Sequence, residues 1–213
     1  MAQVNQGYIK SENRKWLIGY LLLHIVIFAL FAGFISPTFS DVNLLLSKLK
    51  SPQGFLPFIA VIFSIILEGL LSNPIKEFLV FWRIKSRLPG HRAFSVIGPK
   101  DARVNMEKVR ALYPNGLSTD PKLQNQEWFQ LYKKYGDERR VSYSHKAYLL
   151  TRDLTALTAV LIPLSFIGHL IARSQWSIIG YHSLFLIGLL ILISLSARNY
   201  GNRFVANVLI EAT

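Results

Sequence analysis

The chain has no cysteine. That excludes disulfides, thiolate catalysis and cysteine-based zinc sites. Acid is also scarce: 12 Asp and Glu stand against 24 Lys and Arg among 213 residues, a formal charge of +12. The largest deficit is local, because four long stretches carry almost no charge. Trp16–Ser36 has 21 residues and no formal charge, and Gly54–Ile75 is interrupted only by Glu68. Leu154–Ala172 gives 19 uncharged residues and Ser174–Ala197 gives 24. Missing too are a Walker loop, H-E-x-x-H, G-x-S-x-G and any paired-carboxylate motif beside a candidate nucleophile. The sequence therefore offers no catalytic residues, no cofactor site and no metal site, and it does not read as an enzyme.

What is present is lipid-compatible length. A hydrocarbon core of about 30 Å needs roughly 20 helical residues at about 1.5 Å each. A soluble domain of this size would spread its apolar residues at helix or strand period around one core. These runs are apolar on every face, the pattern of helices buried in lipid. The expected fold is an all-α integral membrane protein with four transmembrane helices as two hairpins. A small helical cytoplasmic insert joins spans two and three. The expected divisions are a tail at 1–15, a first hairpin at 16–75, a basic insert at 76–148, a second hairpin at 149–197 and a C-terminal segment at 198–213. Lys10, Arg14 and Lys15 precede the first span in the manner of a signal peptide. The run is too long for an h-region and lacks a small-x-small cleavage site, so a retained helix is expected.

Charge placement predicts orientation. Pro37–Gln53 holds only Asp41, Lys48 and Lys50, and the connection between the last two spans holds only Arg173. Ser72–Lys146 holds 15 Lys and Arg against seven Asp and Glu, a net of about +8. Positive charge concentrates on the cytoplasmic side, so both termini and the insert are expected inside. The same charge invites an anionic partner.

Local signals divide the insert. Asn73-Pro74 reads as an N-cap followed by proline at the first helical position, opening a helix over Ile75–Arg87 that Leu88-Pro89-Gly90 stops. Val104–Leu112 reads as a short helix. Asp120-Pro121 repeats the start signal for a helix over Pro121–Tyr135, ended by Gly136. Helix is expected again from His145 into the third span, kinked at Pro163. The fourth span is expected to continue into Arg198–Leu209.

Several side chains stand out. Glu68 is the one charged residue inside a span, and His24 lies at a depth from which it can reach Glu68 across the first hairpin. The two form a candidate pore or gating pair, against the alternative that Glu68 snorkels to the interface. An antiparallel arrangement of the last two spans brings His169 and His182 to one depth. A metal there would need further ligands, and hydrogen-bonding histidines are the alternative. Trp16, Trp82 and Trp176 fall at span boundaries, where amphipathic rings belong. Two runs interleave cations with rings: Phe81–Arg92 and Trp128–Tyr135. They suit single-stranded nucleic acid or anionic headgroups. The candidate nucleic-acid contacts are Arg83, Lys85, Arg87, Arg92, Lys133 and Lys134 for phosphates, with Trp128 and Tyr132 as stacking rings.

Asn73-Pro74-Ile75-Lys76, Phe81-Trp82-Arg83, Leu88–Ser95, Leu149–Asp153 and Arg198–Leu209 together resemble a family of small four-span bacterial proteins of defence islands. The group they are most similar to is the membrane effector of Hailong-type anti-phage systems. The resemblance covers about Asn73 to Leu209, and no DNA-contact motif transfers residue by residue. It implies a homo-oligomer, tetrameric, in the bacterial inner membrane, that opens or disrupts the bilayer during infection. It also implies a short single-stranded oligodeoxynucleotide, made by a partner nucleotidyltransferase, that holds the effector shut. The expected function is thus a ligand-gated membrane effector or ion channel. The alternative is a membrane scaffold or adaptor whose insert binds a protein partner.

Overall fold

A computed structural model describes residues 6–33, 66, 69–114 and 116–213. The described residues form helices and connections, with no strand among them. The principal helices are α1 (Gln6–Phe31), α2 (Asn73–Phe81), α3 (Met106–Ala111), α4 (Pro121–Tyr135), α5 (Arg139–Ile171) and α6 (Trp176–Glu211). Between α2 and α3 the chain makes a 3₁₀ turn over Pro89–Arg92, a π turn over Ala93–Ile97 and one α turn over Gly98–Lys100. Three helices are long and apolar enough to cross a membrane: Glu12–Phe31 within α1, then α5 and α6. The second expected span, Gly54–Ile75, lies outside the described residues apart from Ile66 and the stretch from Gly69. Pro163 lies inside α5, which continues through it to Ile171.

The chain divides into two compact units. A basic unit comprises Met1–Asn13, Asn73–Arg152 and Ile193–Thr213, and an apolar unit comprises Arg14–Ser72 and Asp153–Leu192. The apolar unit leaves large hydrophobic side chains uncovered, among them Leu23, Leu184, Leu192 and Ile171, the last 78% exposed. Uncovered apolar surface on this scale suits a lipid solvent.

The basic unit has a true core. Val80, Phe81, Phe94, Val109, Trp128, Tyr132, Val141, Tyr148, Phe204, Val205 and Leu209 are buried in one cluster. Phe204 of α6 sits at its centre. The rings of Trp128 and Tyr132 meet it edge-on with centroids 5.2 Å away, and His145 stacks on it at 4.6 Å. Gly201, one turn earlier, has no side chain to hold neighbours off. A Cβ there would lie 3.0 Å from Phe81 and 3.1 Å from Tyr148. At the unit's N-terminal end Asn13 Nδ2 donates to the Lys146 carbonyl at 3.0 Å, and Lys146 pairs with Glu12.

Local chemistry explains the helix starts. The Asp120 carboxylate accepts from the amides of Lys122 and Leu123 at 2.9 and 3.0 Å, and Pro121 needs no amide partner. Asn105 does the same for α3, accepting from Glu107 and Lys108 at 3.1 and 3.0 Å. The irregular turn before α3 is held by buried Gln124. Its Oε1 accepts from the amides of Phe94 and Ser95, both at 3.2 Å, while its Nε2 donates to Thr119 O at 3.2 Å.

This packing predicts unequal costs in α4. Trp128→Ala should lower stability by about 3–5 kcal/mol, the range for deleting a buried large aromatic. Asp120→Ala, which removes only a cap, should cost about 1 kcal/mol. Thermal unfolding of the detergent-solubilised chain, followed by near-ultraviolet circular dichroism, checks the order.

Candidate functional site

The helix expected over Ile75–Arg87 stops at Phe81. Trp82 and then Ser86 take positive φ values of 52° and 50°, so the chain leaves the helix in two left-handed steps. A carbonyl freed at a helix end needs a donor, and Arg198 of α6 supplies it. Its Nε and Nη2 donate to Val80 O at 3.2 and 3.0 Å, and its guanidinium lies 4.4 Å from the centre of the Trp82 ring. Arg87 is tied to backbone as well, through Arg83 O and Pro74 O, both at 3.2 Å.

Beyond this cap, Pro89–Lys100 turns against α6 and leaves a cavity of about 320 Å³. Arg92, Val96, Ile97, Lys100 and Asp101 line one side, and Asn202, Arg203 and Ala206 of α6 line the other. Arg92, Lys100 and Arg203 bring positive charge. Asp101 does little to offset it, because both of its oxygens are bound by Arg103, at 2.9 Å from Nε and 2.7 Å from Nη2. That bidentate grip holds the Asp101 carboxyl below the usual range.

Arg92 is the strained charge of the set. Burial disfavours its ionised form first, and the guanidiniums of Arg83 and Arg198 add repulsion, so its affinity for its proton falls below the ordinary arginine value. An arginine still keeps its proton, so the strain persists as positive potential. Arg92 Nε is buried with no hydrogen-bond partner among the described residues, and so is Asn202 Oδ1. The oxygen and nitrogen of an asparagine exchange by a flip of the amide, so Asn202 can present either an acceptor or a donor. The arrangement suits an anion that accepts several hydrogen bonds, such as a phosphate group.

The structure sorts the residues singled out in the sequence. Arg83 and Arg92 interact electrostatically, as above. Lys85 is exposed. Lys133 and Lys134 are exposed on α4, each over a ring of its own helix, Phe129 at 5.1 Å and Tyr135 at 5.0 Å. Trp128 and Tyr132 are corrected from stacking rings to core. They are 6% and 3% exposed, Trp128 Nε1 donates to Val205 O at 3.3 Å, and no face is free for a base. Their spacing along α4 suits a buried stripe as well as a stacking platform, and tertiary packing took the stripe. Glu68 lies outside the described residues. His24 is buried in the apolar unit, its Nδ1 2.8 Å from Tyr20 O. Among the described residues no group of three His, Asp or Glu is placed to hold a metal.

Lys100, Asn202 and Arg203 were not among the expected ligand contacts. Only their charge or polarity marks them in the sequence, and a segment about a hundred residues away completes the site. The chain matches no protein-family model, no curated protein and no solved structure.

The Arg198 cap predicts its own signature. Arg198→Ala should cost about 1.5–3 kcal/mol, the range for charge-assisted hydrogen bonds. Arg198→Lys should recover only part of it, because one ammonium cannot reproduce the planar two-nitrogen contact over Trp82. Thermal melts with Trp82 fluorescence as second readout check both.

Proposed function

We propose that the chain is an oligomeric, ligand-gated membrane effector whose basic unit lies in the cytoplasm and binds a phosphate-bearing ligand in the Arg92–Lys100–Asn202–Arg203 cavity. The observation that carries this reading is the counterion-poor charge around Arg92, at a cavity that it lines together with Lys100 and Arg203. An anion entering the cavity relieves the mutual repulsion of Arg83, Arg92 and Arg198 and so binds with a gain that a neutral ligand lacks. A cavity of about 320 Å³ is at the lower end of small-ligand sites, which span roughly 300–1,000 Å³. One nucleotide unit fits such a volume, and a longer strand would extend toward exposed Arg83, which lies close enough to Arg92 to repel it.

The link to the membrane is α6. The helix that contributes Asn202 and Arg203 also carries Trp176–Leu192 of the apolar unit. Ligand occupancy therefore acts directly on a membrane-crossing helix. The remainder of the reading rests on charge distribution and on the family resemblance: four spans in two hairpins, both termini inside, an inner-membrane tetramer, and a short single-stranded oligodeoxynucleotide as the controlling ligand in anti-phage defence.

Binding of a fluorescent oligodeoxynucleotide to the detergent-solubilised chain across a salt series tests the reading. Affinity should fall with salt. Arg92→Gln or Arg203→Gln should each flatten the log–log slope by about 0.7, the share of one neutralised phosphate on a single strand. Trp128→Phe should leave the slope unchanged. Affinity that is absent, or indifferent to salt, would leave the basic unit as a topology signal or a protein-docking surface and remove the ligand-gated reading.

A further inference from the structure

The apolar unit contains a hydrogen-bonded pair of buried histidines. His169 near the end of α5 and His182 near the start of α6 are each 1% exposed. His169 Nε2 and His182 Nδ1 are 2.8 Å apart. The other nitrogen of His169, Nδ1, lies 3.0 Å from Ser174 Oγ in the connection between α5 and α6. That connection is at the surface, with Ser174 half-buried between exposed Arg173 and Gln175. At the opposite end of this series, His182 Nε2 is buried with no hydrogen-bond partner among the described residues.

Aromatic rings isolate the pair. Phe28 of α1 lies 4.6 Å from the His169 ring, and Phe31 stacks on His182 at 4.7 Å. Gly168 leaves room for Phe28, whose ring atoms stand 2.9 Å from where a Cβ would be. Among the described residues, the titratable groups that act electrostatically on the pair are its own members and His24. His24 sits one turn before Phe28 on α1, and its Nε2 is likewise buried without a partner among the described residues. One further turn back, Tyr20 Oη is 2.6 Å from Thr158 Oγ1 of α5. Polar groups thus recur from Ser174 to Thr158, and the part of α5 from His169 to Thr158 alone rises about 16 Å.

A metal does not explain the contact. Two nitrogens bound to one tetrahedral zinc at about 2.0–2.1 Å each would stand about 3.3 Å apart. At 2.8 Å they face each other across a proton instead. Polar ionisable groups inside apolar spans are costly and mark pathways, and imidazole is suited to shuttling protons.

We propose that Ser174, His169 and His182 form a proton-transfer chain that connects the α5–α6 connection to the interior of the apolar unit toward His24, so that proton translocation is an activity of this protein. In one arrangement His182 Nδ1–H donates to His169 Nε2, and His169 Nδ1–H donates to Ser174 Oγ. A hydronium ion reaching His182 Nε2 breaks one of its O–H bonds, an N–H bond forms at Nε2, and water is left behind. The Nδ1–H bond of His182 breaks as its proton passes to His169 Nε2. The Nδ1–H bond of His169 breaks as its proton passes to Ser174 Oγ, and Ser174 releases its own hydroxyl proton to water. One proton enters and one leaves, and both rings end as neutral imidazoles of the other tautomer. Turning of the rings resets the chain, and the reverse sequence carries a proton inward. This activity stands apart from the anion cavity, whose residues it does not use.

The full chain reconstituted into phosphatidylcholine–phosphatidylglycerol vesicles, with a trapped pH-sensitive dye and a potassium–valinomycin potential, tests the proposal. Wild-type vesicles should acidify at least tenfold faster than empty ones. His182→Gln keeps a polar amide but cannot relay a proton, and it should remove most of that excess. Ser174→Ala lies outside the buried pair and should slow the flux several-fold without disturbing the fold. Chloride and potassium leak, read in parallel vesicles without ionophore, should not change in either variant. Proton flux that falls alone supports the relay. Wild-type vesicles no leakier to protons than empty ones overturn it. So does His182→Gln flux equal to wild type, or a loss of proton and ion flux together.

Discussion

An unbroken helix of 36 residues, Trp176–Glu211, is the constraint on which the rest depends. At about 1.5 Å per residue it is about 54 Å long, well beyond the roughly 30 Å that lipid hydrocarbon requires. One helix must therefore satisfy two surroundings. Its first part presents exposed Leu184, Ile187, Ile191 and Leu192. Its second part places Phe204, Val205, Val208 and Leu209 in the core of the basic unit. Because a helix closes its backbone hydrogen bonds internally, the change of surroundings falls entirely on side chains. His182, Arg198, Asn202 and Arg203 are among the polar groups α6 carries into its surroundings, and each candidate activity uses some of them.

Arg198 shows how such a group is made compatible with packing. It gives two hydrogen bonds to the last turn of α2 and places its guanidinium 4.4 Å from the centre of the Trp82 ring. Arg92 has no such partner at Nε among the described residues. The contrast separates an arginine that caps a helix end from one whose Nε has no partner among the described residues. Both sit among positive neighbours, but among the described residues only Arg198 has an acceptor at its Nε. The histidine pair follows the same logic in the apolar unit. Its facing nitrogens satisfy each other, and His182 Nε2 has no hydrogen-bond partner among the described residues.

Much of the layout was legible in residue order, and the failures have identifiable causes. Asp120-Pro121 and Gly136 bracket α4 as expected, since a carboxylate cap and an N1 proline act within four residues. The short helix expected over Val104–Leu112 forms as Met106–Ala111, because Asn105 caps it. The meeting of His169 and His182 follows from the short connection between their helices. The helix expected to Arg87 ended at Phe81, where Arg198, more than a hundred residues later, takes the Val80 carbonyl.

What the sequence determined by itself was composition-scale: apolar runs of bilayer length, the excess of positive charge in one segment, and helix starts set by near neighbours. These are properties of windows a few to twenty residues wide, and the physics that reads them is local. Only tertiary structure decided which cation is a cap and which lines a cavity, and whether Trp128 and Tyr132 face a ligand or the ring of Phe204. Those outcomes depend on which carbonyl, ring or carboxylate arrives from a distant segment. An arginine Nε with an acceptor at 3.2 Å and one with none among the described residues are the same atom in the sequence.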